Sequence, residues 1–137
     1  EIKDKNLVIM GIGRKGFYKI VKDMKKADKY DYSVSWTSEY RPELERDVRI
    51  RLKKGKDLRV LARYDKETEK DVKKWLRIMK NFKKIENEGV AISIIDDEEV
   101  MISLIKSNVT LLIKNAAFCK IMKKLFLETY KNAEEIK

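Results

Sequence analysis

The stretch Gly89-Val90-Ala91-Ile92-Ser93-Ile94-Ile95-Asp96-Asp97-Glu98-Glu99-Val100-Met101-Ile102-Ser103-Leu104-Ile105 decides the fold. It holds two β-rich runs, Val90–Ile95 and Val100–Ile105, on either side of an acidic turn. Both runs are apolar at nearly every position and not only at alternate ones, as in strands covered on both faces of a sheet. Aspartates tolerate tight backbone geometry, so Asp96–Glu99 predicts a hairpin turn. Neighbouring side chains in such a turn diverge, which makes it a solvated turn and a poor cation site.

Working backwards, the chain alternates helices and strands. Leu7–Met10 reads as a first strand. Phe17, Ile20, Val21, Met24 and Ala27 then recur at helical spacing from about Lys15 to Ala27. Tyr30, Tyr32, Val34 and Trp36 alternate with Asp31, Ser33, Ser35 and Thr37, a strand whose aromatic side faces a core. Pro42 suits a first helical turn and Gly55 a left-handed stop, with Leu44, Val48 and Leu52 as the stripe between them. Leu58–Ala62 is a strand, and a helix from about Glu67 to Asn81 buries Val72, Trp75, Leu76 and Met79. After the hairpin, Val109–Ile113 is a further strand. Asn115 is a good N-cap for a final helix carrying Phe118, Ile121, Met122, Leu125 and Phe126 inward. The order βαβαβαβββα predicts an α/β fold: a mixed β-sheet of about six strands with helices on both faces.

The 137 residues suit one domain, residues 7–137, preceded by a charged linker remnant over residues 1–6. Because the chain starts at Glu1 and not at a methionine, the expectation is a fragment whose missing part lies upstream. The net charge of +10 comes mostly from lysines spread over nearly every helix, so solvated lysine faces explain it without a partner. A Lys/Glu/Ile-rich composition without histidine also suits a hyperthermophile. Direct nucleic-acid contact is the alternative that the charge leaves open. The lone Cys119 excludes an internal disulfide, reads as a small core residue and fits a reducing cytoplasm. No apolar run approaches the about 20 residues of a membrane span.

With no histidine in the chain, Ser-His-Asp and Cys-His nucleophiles and histidine-containing metal sites are excluded. No cofactor is expected. Gly11-Ile12-Gly13-Arg14-Lys15-Gly16 has the G-x-G-x-x-G spacing, but the acid that follows the second strand, Glu39, lies 23 residues past Gly16 and beyond the strand's last alternating residue. A turn and helix start is the better reading of those glycines. Arg14 there could still attract an anion. Open α/β sheets bind ligands at strand ends, which makes Ser35, Thr37, Ser38 and Glu39 candidate ligand contacts, with Arg14 and Arg63 as anion partners. Leu127 and Tyr130 widen the apolar face of the last helix, so they are the candidate contacts of a homodimer.

The phospholipase D superfamily carries His-x-Lys, four residues and then Asp, with an apolar strand running into the Asp. Gly89 to Asp96 keeps the strand and the Asp but has Gly89 in place of the His and Ala91 in place of the Lys. The Gly-Ser-x-Asn usually found downstream is absent from Val100–Ile105. Gly13-Arg14, Ser35-Trp36, Gly55–Leu61, Gly89–Ser103, Ile113–Ala116 and Tyr130–Ala133 together resemble the C-terminal effector domains of TrmB-like archaeal transcriptional regulators. The resemblance implies a phospholipase D-like half-domain without catalytic residues. It also implies dimerisation, sensing of a small molecule such as a sugar, and DNA contact through an N-terminal winged helix. The alternatives are a free-standing basic domain that binds nucleic acid and, more remotely, a phospholipase D-type phosphodiesterase.

Overall fold

The hairpin that opens the sequence reading is the centre of the sheet. In the computed structural model, which describes residues 6–137, β5 (Val90–Ile95) pairs antiparallel with β6 (Glu99–Leu104), Ile92 opposite Ile102. Around them the order is β1-β7-β6-β5-β2-β3-β4-β8, with β1 at Leu7–Ile12, β2 at Tyr30–Ser35, β3 at Asp57–Ala62 and β7 at Val109–Lys114. The sheet therefore has eight strands and not about six. The additional ones are β4 (Phe82–Lys84) beside β3 and β8 (Glu134–Glu135) at the far edge. Both are short and lysine- or glutamate-rich, so neither shows apolar alternation. Of the expected linker remnant, residues 1–5 lie outside the described residues, and Asn6 is exposed.

Side-chain alternation sends the two sets of strand residues to opposite faces. On one face lie α1 (Gly13–Asp23), α2 (Pro42–Lys53) and α3 (Glu69–Leu76). Ile20 and Phe17 of α1 pack on Ile9, Met101 and Leu112. At the other end of that face Leu44, Val48, Val72 and Trp75 pack on Leu58, Val60, Ala62 and Phe82. The opposite face carries α4 (Ala116–Asn132), whose Cys119, Phe126 and Tyr130 join Tyr30, Tyr32, Leu61, Ile94 and Val100 in the main core. Asn115 caps α4 by accepting the Phe118 N–H at 2.8 Å. Gly55 ends α2 at φ +80°, and Cys119 is fully buried.

Gly11 and Gly16 have a packing role. A Cβ on Gly11 would stand 2.6 Å from the Gly16 carbonyl oxygen, and one on Gly16 would stand 2.6 Å from the Gly11 carbonyl carbon. The glycine pair thus lets α1 lie directly on the edge strand β1, which runs antiparallel to β7. A dinucleotide fingerprint instead sits between parallel strands. Helix α1 also stops at Asp23, four residues short of Ala27, because the following chain turns to wrap the hairpin.

That wrapping corrects the reading of the acidic turn. Asp96 and Asp97 take the left-handed φ values of 56° and 59° that a mirror-image hairpin turn requires. Asp96, however, is buried, its side chain only 2% exposed. It accepts backbone N–H bonds from Asp28 at 2.7 Å, Lys29 at 2.8 Å and Tyr30 at 2.9 Å, and pairs with Lys25 Nζ at 2.9 Å. Burial alone would raise the Asp96 pKa; the three backbone bonds and Lys25 outweigh it and bring it down to about 2. Glu99 is buried too and accepts the Lys25 backbone N–H at 3.1 Å.

Removing the Asp96 carboxylate strands three backbone donors and one ammonium at once. Asp96→Ala should cost about 3–5 kcal/mol of unfolding free energy in a denaturant titration. The wild-type contribution should be complete above the ordinary carboxylate range near 3.8 and lost as the pH falls toward about 2. Its size follows as about 2 kcal/mol from that pKa difference. An acid-unfolding curve unchanged in Asp96→Asn would refute this assignment.

Candidate functional site

The two helix layers of the first face do not meet. Between α1 and the start of β2's exit loop the sheet is left open as a trough of about 580 Å³. Its floor follows from strand register. Ala91 pairs with Ser103 and Ser103 with Thr110, while Ser33 pairs with Ser93. Small residues on neighbouring strands thus stand side by side where α/β proteins carry large aliphatic ones. The walls are Phe17 and Tyr18 on one side and Trp36 and Thr37 on the other, with Arg14, Gly13 and Asn108 at the end. The opening also explains why Ala91 and Ser93, whose side chains face it, are only half buried although their sequence predicts cover on both faces.

The candidate ligand residues divide between two cavities. Arg14, Ser35 and Thr37 line the trough. Ser38 and Glu39 lie instead on an adjoining cavity of about 310 Å³ over Leu44, Val60 and Trp75, which Ser35 and Thr37 also touch. The Ser35 and Ser38 hydroxyls bond each other at 2.8 Å. Arg63 lines neither; its guanidinium stacks 3.7 Å above Trp36 and pairs with Asp65 and Glu67. Trp36 is accordingly half exposed, whereas Tyr30 and Tyr32 are core residues. The strand-end rule missed Ser93, Ser103, Thr110 and Asn108, because register, and not sequence proximity, brings them to Ser35.

Tyr130 is buried among Tyr32, Phe126 and the Arg59 guanidinium, and Leu127 packs on the same core. Tyr130 thus has little surface left for a partner, while Leu127 is half-buried. The exposed apolar residues lie elsewhere: Val8, Met10 and Ile12 on edge strand β1 at 61–68% exposure, and Ile121 and Leu125 on α4.

Ala91, at the lysine position of the phospholipase D motif, lies on the trough floor. Gly89, at the histidine position, has φ +129° and would place a Cβ 3.4 Å from Lys106 Cγ. An L-residue is strained there. Among the described residues no group of three or more His, Cys, Asp or Glu is placed to hold a metal ion. No described helix is long and apolar enough to cross a membrane. Gly89→Ala should lower stability by about 1 kcal/mol or more. Ala91→Ser, open to solvent in the trough, should stay within about 0.5 kcal/mol of wild type in the same denaturant assay.

No family model matches the sequence, and a search of curated proteins finds no match. Solved structures do match. TrmBL2, an archaeal chromatin protein described as showing a novel mode of DNA binding, superposes with a TM-score of 0.71 at 20% identity over 94% of this chain. This chain spans only 54% of TrmBL2. Nuc of Salmonella typhimurium, a phospholipase D family member, superposes with a TM-score of 0.68 at 10% identity, covering 96% of this chain and 99% of that one. NucT from Helicobacter pylori gives 0.67 at 12% identity with the same coverage. The chain therefore has the phospholipase D-like fold of these three proteins, and its sequence resemblance to TrmB-like effector domains holds at the level of that fold.

Proposed function

We propose that this chain is a non-catalytic, ligand-sensing and dimerising domain of a transcriptional regulator whose DNA contacts are made by a separate N-terminal winged helix. The observation that carries the reading is the trough itself. Ala91 lies on its floor at the motif's lysine position, Gly89 at the histidine position lies just before β5 in a backbone conformation that suits glycine, and the chain contains no histidine. A phospholipase D reaction needs a nucleophile to form its covalent intermediate. What remains is a concave, half-apolar site with convergent hydroxyls, the usual character of a small-molecule site. The fold is shared alike with TrmBL2, described as binding DNA, and with phospholipase D family members, so the lack of a histidine and not the fold supports a regulator over an enzyme. A ligand acts there only by binding one dimer arrangement more tightly than another.

Trp36 lines the trough, while Trp75 is buried under α2, so indole fluorescence reports occupancy. Titration with neutral and phosphorylated sugars should change the signal, and Ala91→Trp, which fills the trough, should abolish the change. No response to any of these ligands, or hydrolysis of a phosphodiester by pure protein, would overturn the reading.

For dimerisation the surface that supports the proposal is β1. Among the described residues its outer edge is unpaired, Leu7–Ile12 contains no charge, and Val8, Met10 and Ile12 are exposed. Soluble proteins usually guard such an edge with lysine, proline or a bulge. A second copy, pairing antiparallel strand to strand, would cover it. Light scattering should show a dimer that becomes a monomer in Val8→Lys/Met10→Lys; a monomeric wild type at high micromolar concentration would refute it.

A further inference from the structure

We infer that the apolar sheet face beside α4 is a docking surface for a second copy of this chain, each copy setting the flank of its α4 into the open face of the other. The inference rests on the dimerising reading above and gives it a surface other than the β1 edge. The face follows from strand alternation. Ile94 and Val100 point to the α4 side and are buried in the core that Cys119 and Phe126 complete. The next row toward the trough end of the strands is Ile92, Ile102, Leu111 and Met10. The row beyond it is Val90, Leu104, Val109 and Ile12. Neither row contains a charged residue. Helix α4 crosses the sheet from β6, where Cys119 Sγ lies 3.6 Å from the Glu99 carbonyl oxygen, to β4, where Lys83 Nζ donates to the Tyr130 carbonyl at 3.1 Å. It therefore leaves β7 and β1 bare on this side, although α1 covers their other side with Ile20. Leu104, Met10 and Ile12 stay 39%, 61% and 68% exposed. Large apolar side chains in registered rows belong to a covered face. Among the described residues nothing covers this one.

The same surface carries the element that would fit it. Met122 and Leu125 of α4, with Val34 and Ile92 of the sheet, line an apolar cavity of about 150 Å³ between helix and strands. Ile121 and Leu125, one turn apart, project from that flank at 62% and 58% exposure. A knob and a hole side by side on one chain are self-complementary under a two-fold axis, each copy's knob entering the other's hole. A foreign helix would fill the hole and leave the knob bare. The area agrees with a second copy. The exposed parts of Val8, Met10, Ile12, Leu104, Ile121 and Leu125 amount to roughly 600 Å², the upper end of what a monomer shows. With the half-buried side chains between them the face approaches the about 800 Å² that each partner gives a stable interface. Strand pairing at β1 would leave knob and hole apart. From β6 of one copy to β6 of the other would then span about 24 Å, with β7 and β1 of both copies between the two α4 helices.

Cysteine capture separates the two geometries. Cys119 is fully buried, so wild type should give no covalent dimer with a bismaleimide whose reach is well below that span. Ile121→Cys and Leu125→Cys should each be captured as a covalent dimer. Ile121→Asp/Leu125→Asp should weaken self-association in light scattering at least about tenfold, since a few central side chains carry most of an interface's affinity. Both residues are exposed, so this variant should keep the wild-type circular dichroism. The β1 lysine variant does not discriminate, because Val8 and Met10 belong to either contact. No capture of either cysteine variant, or an aspartate variant that associates like wild type, overturns this inference and leaves strand pairing at β1 as the dimer contact. A wild type that is monomeric at high micromolar concentration overturns the dimerising reading as well and leaves the face to a partner of another sequence.

Discussion

The Asp96 carboxylate is the point on which the two halves of the sheet depend. The strands before the hairpin reach it through a crossover, and the strands after it follow by antiparallel turns. Beside the antiparallel β2–β5 ladder, one side chain ties them by accepting three consecutive backbone N–H groups at the start of β2. Those donors lie between a helix end and a strand, where neither element supplies acceptors. A buried carboxylate without such partners would neutralise itself; with them it stays ionised and holds Lys25 beside it. Tyr30 extends the arrangement, its hydroxyl donating to Asp97 Oδ1 at 2.8 Å and accepting the Asp97 N–H at 2.9 Å. Lys123 of α4 reaches the same carboxylate at 3.2 Å, so the hairpin tip is tied to both faces of the sheet.

This gives a physical account of why the aspartate of the phospholipase D motif remains while its histidine and lysine positions do not hold those residues. Asp96 is used by the fold, and its replacement would expose donors that have no other partner. Positions 89 and 91 have no such duty. Ala91 looks into open space, and Gly89 occupies a backbone conformation that suits a turn joining β5 to the chain before it, where Asn87 accepts the Gly89 and Val90 N–H groups at 2.9 Å. The architectural duty of Asp96 and the residue types at positions 89 and 91 are thus carried by different atoms.

Much of the frame is legible in the sequence because it rests on local physics. The apolar runs of β5 and β6, the alternation of β2, Pro42 and Gly55 around α2, and the Asn115 cap each announce themselves within a few residues. What escapes is long-range. Asp96 looks like a solvated turn residue until residues 28–30, more than sixty positions away, are brought beside it. Tyr130 looks like surplus apolar area on a helix, but Arg59 and Lys83 cover it from the sheet side. β4 and β8 are too short and too charged to show a period. The trough is the same problem in its sharpest form: Ser35, Ala91, Ser103 and Thr110 are unremarkable one by one, and only the register sets them in a row.

That row has a consequence for how stability and function divide in this domain. A sheet face between two helix layers is normally where large aliphatic side chains contribute most, and filling it would be the simplest way to strengthen the fold. Here the chain places large residues one row further along, Met101 and Leu112 under Ile20, and small polar ones in the row above. The change from Leu112 to Thr110 on one strand and from Met101 to Ser103 on the next occurs at the same level, so the boundary is a property of the surface and not of one position. Ser103 and Thr110 satisfy each other there, hydroxyl to hydroxyl at 3.1 Å, beside a trough open to solvent. The Asp96 end of the strands thus ties the fold together, while their other end, open in the trough, goes without large aliphatic packing.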